Sequence, residues 1–146
     1  MDGAKVKVSC ANCGTTNYFP SDAVGKTVVC GRCKFALPEP GTILEPSPAQ
    51  VYDLFRNSSL PVLADFYSTT CAPCLVMHPI LERLARRRAG GLTVVRINVE
   101  RYPELAQGFG IQGVPTFVVV LKGVERGRAS GAQSEEDFAL WVASRA

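Results

Sequence analysis

Pro61-Val62-Leu63-Ala64-Asp65-Phe66-Tyr67, followed by Ser68-Thr69-Thr70 and then Cys71-Ala72-Pro73-Cys74, decides how this chain is read. Residues 61–67 are nearly all apolar, as a strand buried on both faces should be. From Ala72 to about Ala89 the period becomes helical, with Val76, Ile80, Leu81 and Leu84 along one side. Pro79 falls inside that helix and should kink it. A pair of cysteines therefore stands where a buried strand ends and a helix begins. Free N–H groups and the helix dipole favour a thiolate on Cys71 at that point. Pro73 occupies the first turn, where its missing N–H costs nothing. Helical residues three apart lie about 5–6 Å from one another, within the span of a disulfide. The pair can cycle between dithiol and disulfide, with Cys71 attacking a substrate disulfide and Cys74 resolving the mixed disulfide. Asp65, a carboxylate inside an apolar strand, should be desolvated with its pKa raised. Six residues before Cys71, it is placed to take the proton from Cys74. The competing reading is a strand-end aspartate held by backbone groups or by an arginine.

Working outward, Ser47-Pro48 reads as an N-cap followed by proline at the first helical position, with Val51, Leu54 and Phe55 facing inward. Leu92 to Val99 alternates like a strand, and Pro103 to Gly108 makes a short helix. Thr116–Leu121 and Val124–Ala129 read as strands joined by a Lys122-Gly123 turn. Ser134-Glu135-Glu136-Asp137 reads as a capping box opening a last helix that carries Phe138, Trp141 and Val142 inward. The order α-β-α-β-α-β-β-α implies a mixed sheet with helices on both faces, an α/β fold.

All six cysteines fall in C-x-x-C pairs. Cys10/Cys13 and Cys30/Cys33 have the spacing C-x2-C-x16-C-x2-C, which can close a tetrahedral thiolate shell around Zn²⁺. Gly14 and Gly31 permit the positive φ that such knuckles use. Val6–Cys10 and Thr27–Cys30 can lead into them as short strands. The segment has too few large apolar residues for a core of its own, so a metal would supply its stability. A second redox pair, a rubredoxin-type iron site and two local disulfides are the other readings of the four cysteines. Prolines 38, 40, 46 and 48 mark a linker. The expected division is a zinc-ribbon module with its linker over 1–45 and an α/β domain over 46–146.

With 146 residues, 47% of them hydrophobic, the chain can bury enough surface to fold, which excludes disorder. No apolar run approaches the ~20 residues of a spanning helix. The N-terminus carries neither the apolar core of a signal peptide nor, with Asp2 after Met1, the myristoylation pattern. A cytoplasmic protein without a membrane partner is the expectation, most simply a monomer. The net charge of +3 is too small to announce nucleic acid. Arg86-Arg87-Arg88 reads as a solvated helix end and His78, the single histidine, as an exposed or helix-packing residue.

Asp65-Phe66-Tyr67, Cys71-Ala72-Pro73-Cys74 and Pro79 together resemble the active-site region of thioredoxins. Phe109-Gly110-Ile111-Gln112-Gly113-Val114-Pro115-Thr116 resembles their second signature, and Gly131 matches the glycine that borders their substrate groove. The likeness covers about residues 47–146. With the four-cysteine module, the whole chain is similar to the zinc-containing bacterial thioredoxin 2 group. The resemblance implies a thioredoxin fold preceded by a small zinc ribbon, and a cis Pro115 packed against the cysteine pair. It further implies a substrate groove formed by Thr70, Ala72, Pro73, Val114 and Gly131, with Val114 offering backbone hydrogen bonds. The implied activity is reduction of protein disulfides, with electrons from NADPH through a thioredoxin reductase and no bound organic cofactor.

Four positions depart from the family pattern. Thr70 and Tyr67 replace tryptophans, Ala72 replaces glycine, and Arg96 stands where a lysine is common. Arginine cannot release its proton, so Arg96 is expected to act only as a fixed counter-charge for Asp65. A changed C-x-x-C interior tunes redox poise, which leaves a disulfide oxidase or isomerase as the alternative activity. A binding module or redox sensor built on the zinc ribbon is the alternative from another class.

Overall fold

The computed structural model describes residues 5–23 and 26–146. Met1–Ala4, on which the readings of the N-terminus largely rest, lie outside the described residues. Strands β1 (Lys5–Ser9) and β2 (Thr16–Pro20) form an antiparallel hairpin across the first knuckle. The second knuckle is closed by a single bridge between Val29 and Ala36, not by a strand over Thr27–Cys30. Then come β3 (Ile43–Leu44), α1 (Pro48–Asn57), β4 (Val62–Tyr67), α2 (Ala72–Arg87), β5 (Thr93–Asn98), α3 (Pro103–Gly108), β6 (Thr116–Leu121), β7 (Val124–Ser130) and α4 (Glu135–Arg145). The larger sheet has the order β3-β5-β4-β6-β7, parallel across β3, β5 and β4 and antiparallel across β4, β6 and β7. From α1 onward the element order is the one expected. Ile43–Leu44, on the linker side of the expected division, pairs with Val94–Val95 as an edge strand.

Alternation along the central strands sorts the core into two layers. Val62, Ala64 and Phe66 of β4 join Val51, Leu54 and Phe55 of α1 and Leu105 of α3 on one face. Leu63 of β4 joins Met77, Ile80, Leu81 and Leu84 of α2 and Phe138 and Val142 of α4 on the other. Odd-numbered β4 residues thus face α2, and Asp65 is among them. Val76, expected on the buried side of α2, is exposed. Cys74, Met77, Leu81 and Leu84 set the inward stripe, and Val76 lies off it. Trp141 is only half-buried, stacked on Phe138 at the margin of the second layer and not inside it.

Local chemistry explains the boundaries. Ser47 accepts from Gln50 N–H, and the Gln50 side chain accepts from Ser47 N–H, a complete capping box with Pro48 at the first position. In α4 only half of the expected box forms: Ser134 accepts from the Asp137 N–H. Asp137 has one methylene fewer than the glutamate that usually returns the bond. Lys122 and Gly123 both take positive φ, as a two-residue hairpin turn requires. Helix α2 runs unbroken through Pro79. Arg86 and Arg87 close that helix in solvent, and Arg83 and Arg87 pair with Glu135 of α4.

The four-cysteine module docks on the larger unit. Ser9 shares a buried 2.6 Å hydrogen bond with Ser58, and Thr93 of β5 donates to Ser9 at 3.2 Å. Asn57 donates to the Cys13 carbonyl, Ser59 N–H donates to Thr16, and Ala11 packs against the α1 layer. The module therefore lies along α1 and the starts of β4 and β5.

Candidate active site and metal centre

Cys71 is the N-cap of α2, and its sulfur accepts from the Cys74 N–H at 3.2 Å. The two cysteines are joined by a disulfide, with Cα atoms 5.2 Å apart. Cys71 is half-buried, whereas Cys74 is 1% exposed. The outer sulfur is therefore open to a substrate and the inner one is shielded, the asymmetry expected of an attacking and a resolving thiol.

The strand-to-helix corner is tied down by groups that spacing alone did not reveal. Cys71 N–H donates to the Ser68 carbonyl, and the Ser68 hydroxyl accepts from Thr70 N–H while bonding the Thr70 hydroxyl at 3.0 Å. Thr69 donates to Glu100 through both its N–H and its hydroxyl, which holds the Glu100 carboxyl below the usual range. Thr70 is exposed, as are Ala72 and Pro73.

Facing this corner, the Val114–Pro115 peptide is cis, as the resemblance implied. Val114 O lies 3.6 Å from Cys71 Sγ. Thr116 donates to the Gly113 carbonyl at 2.6 Å, and Gly131 N–H donates to Pro115 O. Gly131 has a φ of +89° with open space where a Cβ would stand. Cys71, Val114, Pro115 and Gly131 are thus brought onto one rim.

Asp65 is fully buried on the α2 face of β4. One carboxylate oxygen accepts from Arg96 Nε at 3.2 Å, and Oδ1 finds no partner among the described residues. Burial pushes the carboxyl up to about 6, and the Arg96 guanidinium offsets part of that rise. Asp65 and Arg96 sit opposite one another on β4 and β5. The guanidinium also lies 3.7 Å over the Tyr67 ring, and Tyr67 OH donates to Glu45. Arg96, His78, Glu82, Arg86 and Glu45 line a cleft of about 380 Å³ beside the buried acid. His78 is partly exposed, 3.6 Å from Glu82.

The other four cysteines converge. Their sulfurs all lie within 4.8 Å of one another, with Cys10–Cys33 at 3.6 Å and Cys13–Cys30 at 3.7 Å. Zn–S bonds of about 2.3 Å in a tetrahedron set sulfurs about 3.8 Å apart, so the residues fit such a site. Both knuckles aim N–H groups at sulfur, Asn12 N–H at Cys10 and Arg32 N–H at Cys30. Side-chain amides add Asn12 to Cys33 and Asn17 to Cys30, neither of which the cysteine spacing signals. Burial pushes the Cys10 thiol up to about 12, whereas the Phe35 N–H and the Asn12 amide draw Cys33 down. The four-cysteine cluster stands on the α1 side of the sheet and the Cys71–Cys74 pair on the α2 side.

A profile of the thioredoxin family matches residues 42–144. Thioredoxin C-3 of Corynebacterium nephridii is 30% identical over 135 residues, covering 92% of each chain. Thioredoxin 1 of Chlorobaculum tepidum is 39% identical over 80 residues, covering 55% of this chain and 79% of its own. Among solved structures, a mutant thioredoxin from Halobacterium salinarum NRC-1 superposes with a TM-score of 0.66 at 29% identity. The match covers 74% of this chain and 94% of that one. No helix among the described residues is long and apolar enough to cross a membrane.

Proposed function

The chain belongs to the thioredoxin family, and on that premise we propose that it is a protein-disulfide reductase in which Cys71 attacks and Cys74 resolves. The observation that carries this reading is the asymmetric pair itself, a half-buried Cys71 capping α2 and a buried Cys74 behind it. In the reduced form, the Cys71 thiolate attacks one sulfur of a substrate disulfide, forming a mixed disulfide and releasing the other sulfur as a thiolate. Cys74 gives its proton to Asp65, and its thiolate attacks Cys71 Sγ. The substrate leaves with its second sulfur reduced, and Cys71–Cys74 holds the disulfide. Two electrons pass to substrate, and a thioredoxin reductase drawing on NADPH restores them. The raised pKa of Asp65 suits it to take a proton near neutral pH.

Pro115 and Val114 bound the groove that receives an extended substrate segment, with Gly131, Thr70, Ala72 and Pro73 along its rim. Cys10, Cys13, Cys30 and Cys33 hold a structural Zn²⁺. The division of labour is a metal module with its linker (1–45) and a redox domain (46–146), with Ile43–Leu44 lending the linker's end to the sheet. The setting is a monomer in the cytoplasm that uses neither membrane nor nucleic acid.

Thr70 and Ala72 favour a second reading, a disulfide donor or isomerase on the same fold. The reduction potential of the Cys71/Cys74 couple decides between them. A value near about −270 mV supports the reductase, and one between about −180 and −120 mV supports the donor or isomerase. Cys74→Ser should trap mixed disulfides through Cys71, and failure to trap any protein would overturn both readings.

A further inference from the structure

We propose that Gln50 of the redox domain, acting through Asn12, positions Cys33 as a metal ligand, so that α1 forms part of the metal site. The proposal rests on the zinc reading of the four cysteines.

Three side-chain contacts connect the helix cap to the sulfur. Ser47 N–H donates to Gln50 Oε1 at 2.9 Å, Gln50 Nε2 donates to Asn12 Oδ1 at 3.3 Å, and Asn12 Nδ2 lies 3.6 Å from Cys33 Sγ. The direction of this relay is fixed at both ends. A backbone N–H can only donate, so the Gln50 oxygen must face Ser47 and its NH₂ must face Asn12. Asn12 then presents its oxygen to Gln50 and its NH₂ to Cys33, where a metal-bound thiolate can only accept. Neither amide can flip without setting two donors or two acceptors against each other.

The relay also spans 38 residues of sequence between Asn12 and Gln50. The metal module by itself therefore lacks the group that orients Asn12. Partners that orient metal ligands contribute roughly 10–100-fold to affinity. Gln50 is a positioning residue and touches no ligand atom.

The test is zinc affinity of the full chain, measured by competition with a chromophoric chelator under reducing conditions. Gln50→Leu removes the donor, and Gln50→Glu keeps the acceptor for Ser47 N–H but cannot donate to Asn12. Both should weaken zinc about 10-fold, and Asn12→Ala should weaken it at least as much. Ser47→Ala removes the hydroxyl cap but leaves the relay intact, and should stay within about twofold of the parent. Cobalt-substituted protein adds a spectroscopic readout, since a displaced Cys33 alters the thiolate-to-metal absorption. Parent-like affinity in both Gln50 variants would overturn the proposal, as would equal losses in Ser47→Ala and Gln50→Leu. A parent chain that binds no zinc through its four thiols would instead overturn the zinc reading itself.

Discussion

Gly14 lies directly against the backbone of Leu54, where an added Cβ would stand 2.7 Å from the Leu54 Cα and closer still to the Asp53 carbonyl. Its φ of +81° is also one that a side chain disfavours. The first knuckle turns at this glycine, and the turn is what lets it seat on α1. Gly14→Ala should cost about 1–3 kcal/mol from the backbone conformation, with a further loss as the knuckle is pushed off the helix. Urea unfolding of the reduced, zinc-loaded protein checks this. Unchanged stability would mean that the module is not seated on α1 in solution.

Asp65→Asn should stabilise the fold while slowing its chemistry. Burial raises the carboxyl from 3.8 to about 6, so between those values the folded chain holds a proton that the unfolded chain has released. Stability therefore falls as pH rises through that window and stays low above it. At pH 7 the asparagine variant should be more stable by about 1–3 kcal/mol, the worth of that rise less whatever Arg96 loses with its partner. Resolution of the mixed disulfide should slow by about 10²- to 10⁴-fold, the scale of one general base. Denaturation across pH 4–8 and stopped-flow reduction of a model disulfide provide the two readings.

Arg96→Met should raise the Asp65 pKa above about 6, because the guanidinium is the group that pulls it down. More of the carboxyl is then protonated at pH 7 and unable to accept from Cys74. The acid limb of the rate–pH profile should move to higher pH by about 1–2 units, the scale of one neighbouring charge. A profile that stays in place would separate Arg96 from the proton balance.

Stripping the metal should weaken the whole chain as well as its N-terminal module. Asn57, Ser58, Ser59 and Thr93 all bond the module, so its unfolding uncovers Ala11 and part of the α1 layer. A chelator under reducing conditions should lower the thermal midpoint and quicken amide exchange in α1. Exchange confined to residues before 38 would show that the two parts melt separately.

The larger sheet was legible because its central strands are buried on both faces, which leaves continuous apolar runs such as Val62–Tyr67 and Thr116–Leu121. Asp65 stood out against that background for the same reason. The cysteine sites were legible by spacing, since each knuckle and the helix start fix two sulfurs locally. Ile43–Leu44 was hidden because two residues beside prolines carry no period, and only β5 makes them a strand. Thr16–Pro20 was hidden as well, being a hairpin arm with just Phe19 buried and a proline at its end. The docking of the module is carried by small polar residues, Ser9, Asn57 and Ser58, and by one glycine. None of these has a pattern until the chain is folded.

The two sulfur centres lie in different layers, the four-cysteine cluster flanking α1 and the Cys71–Cys74 pair capping α2, with a five-stranded sheet between them. A thiolate must reach the sulfur it attacks, so within one folded molecule neither centre can transfer its oxidation to the other. Any disulfide joining Cys71 to Cys10, Cys13, Cys30 or Cys33 would have to link two molecules. Redox cycling of Cys71–Cys74 would thus leave the four clustered cysteines on the other side of the sheet untouched.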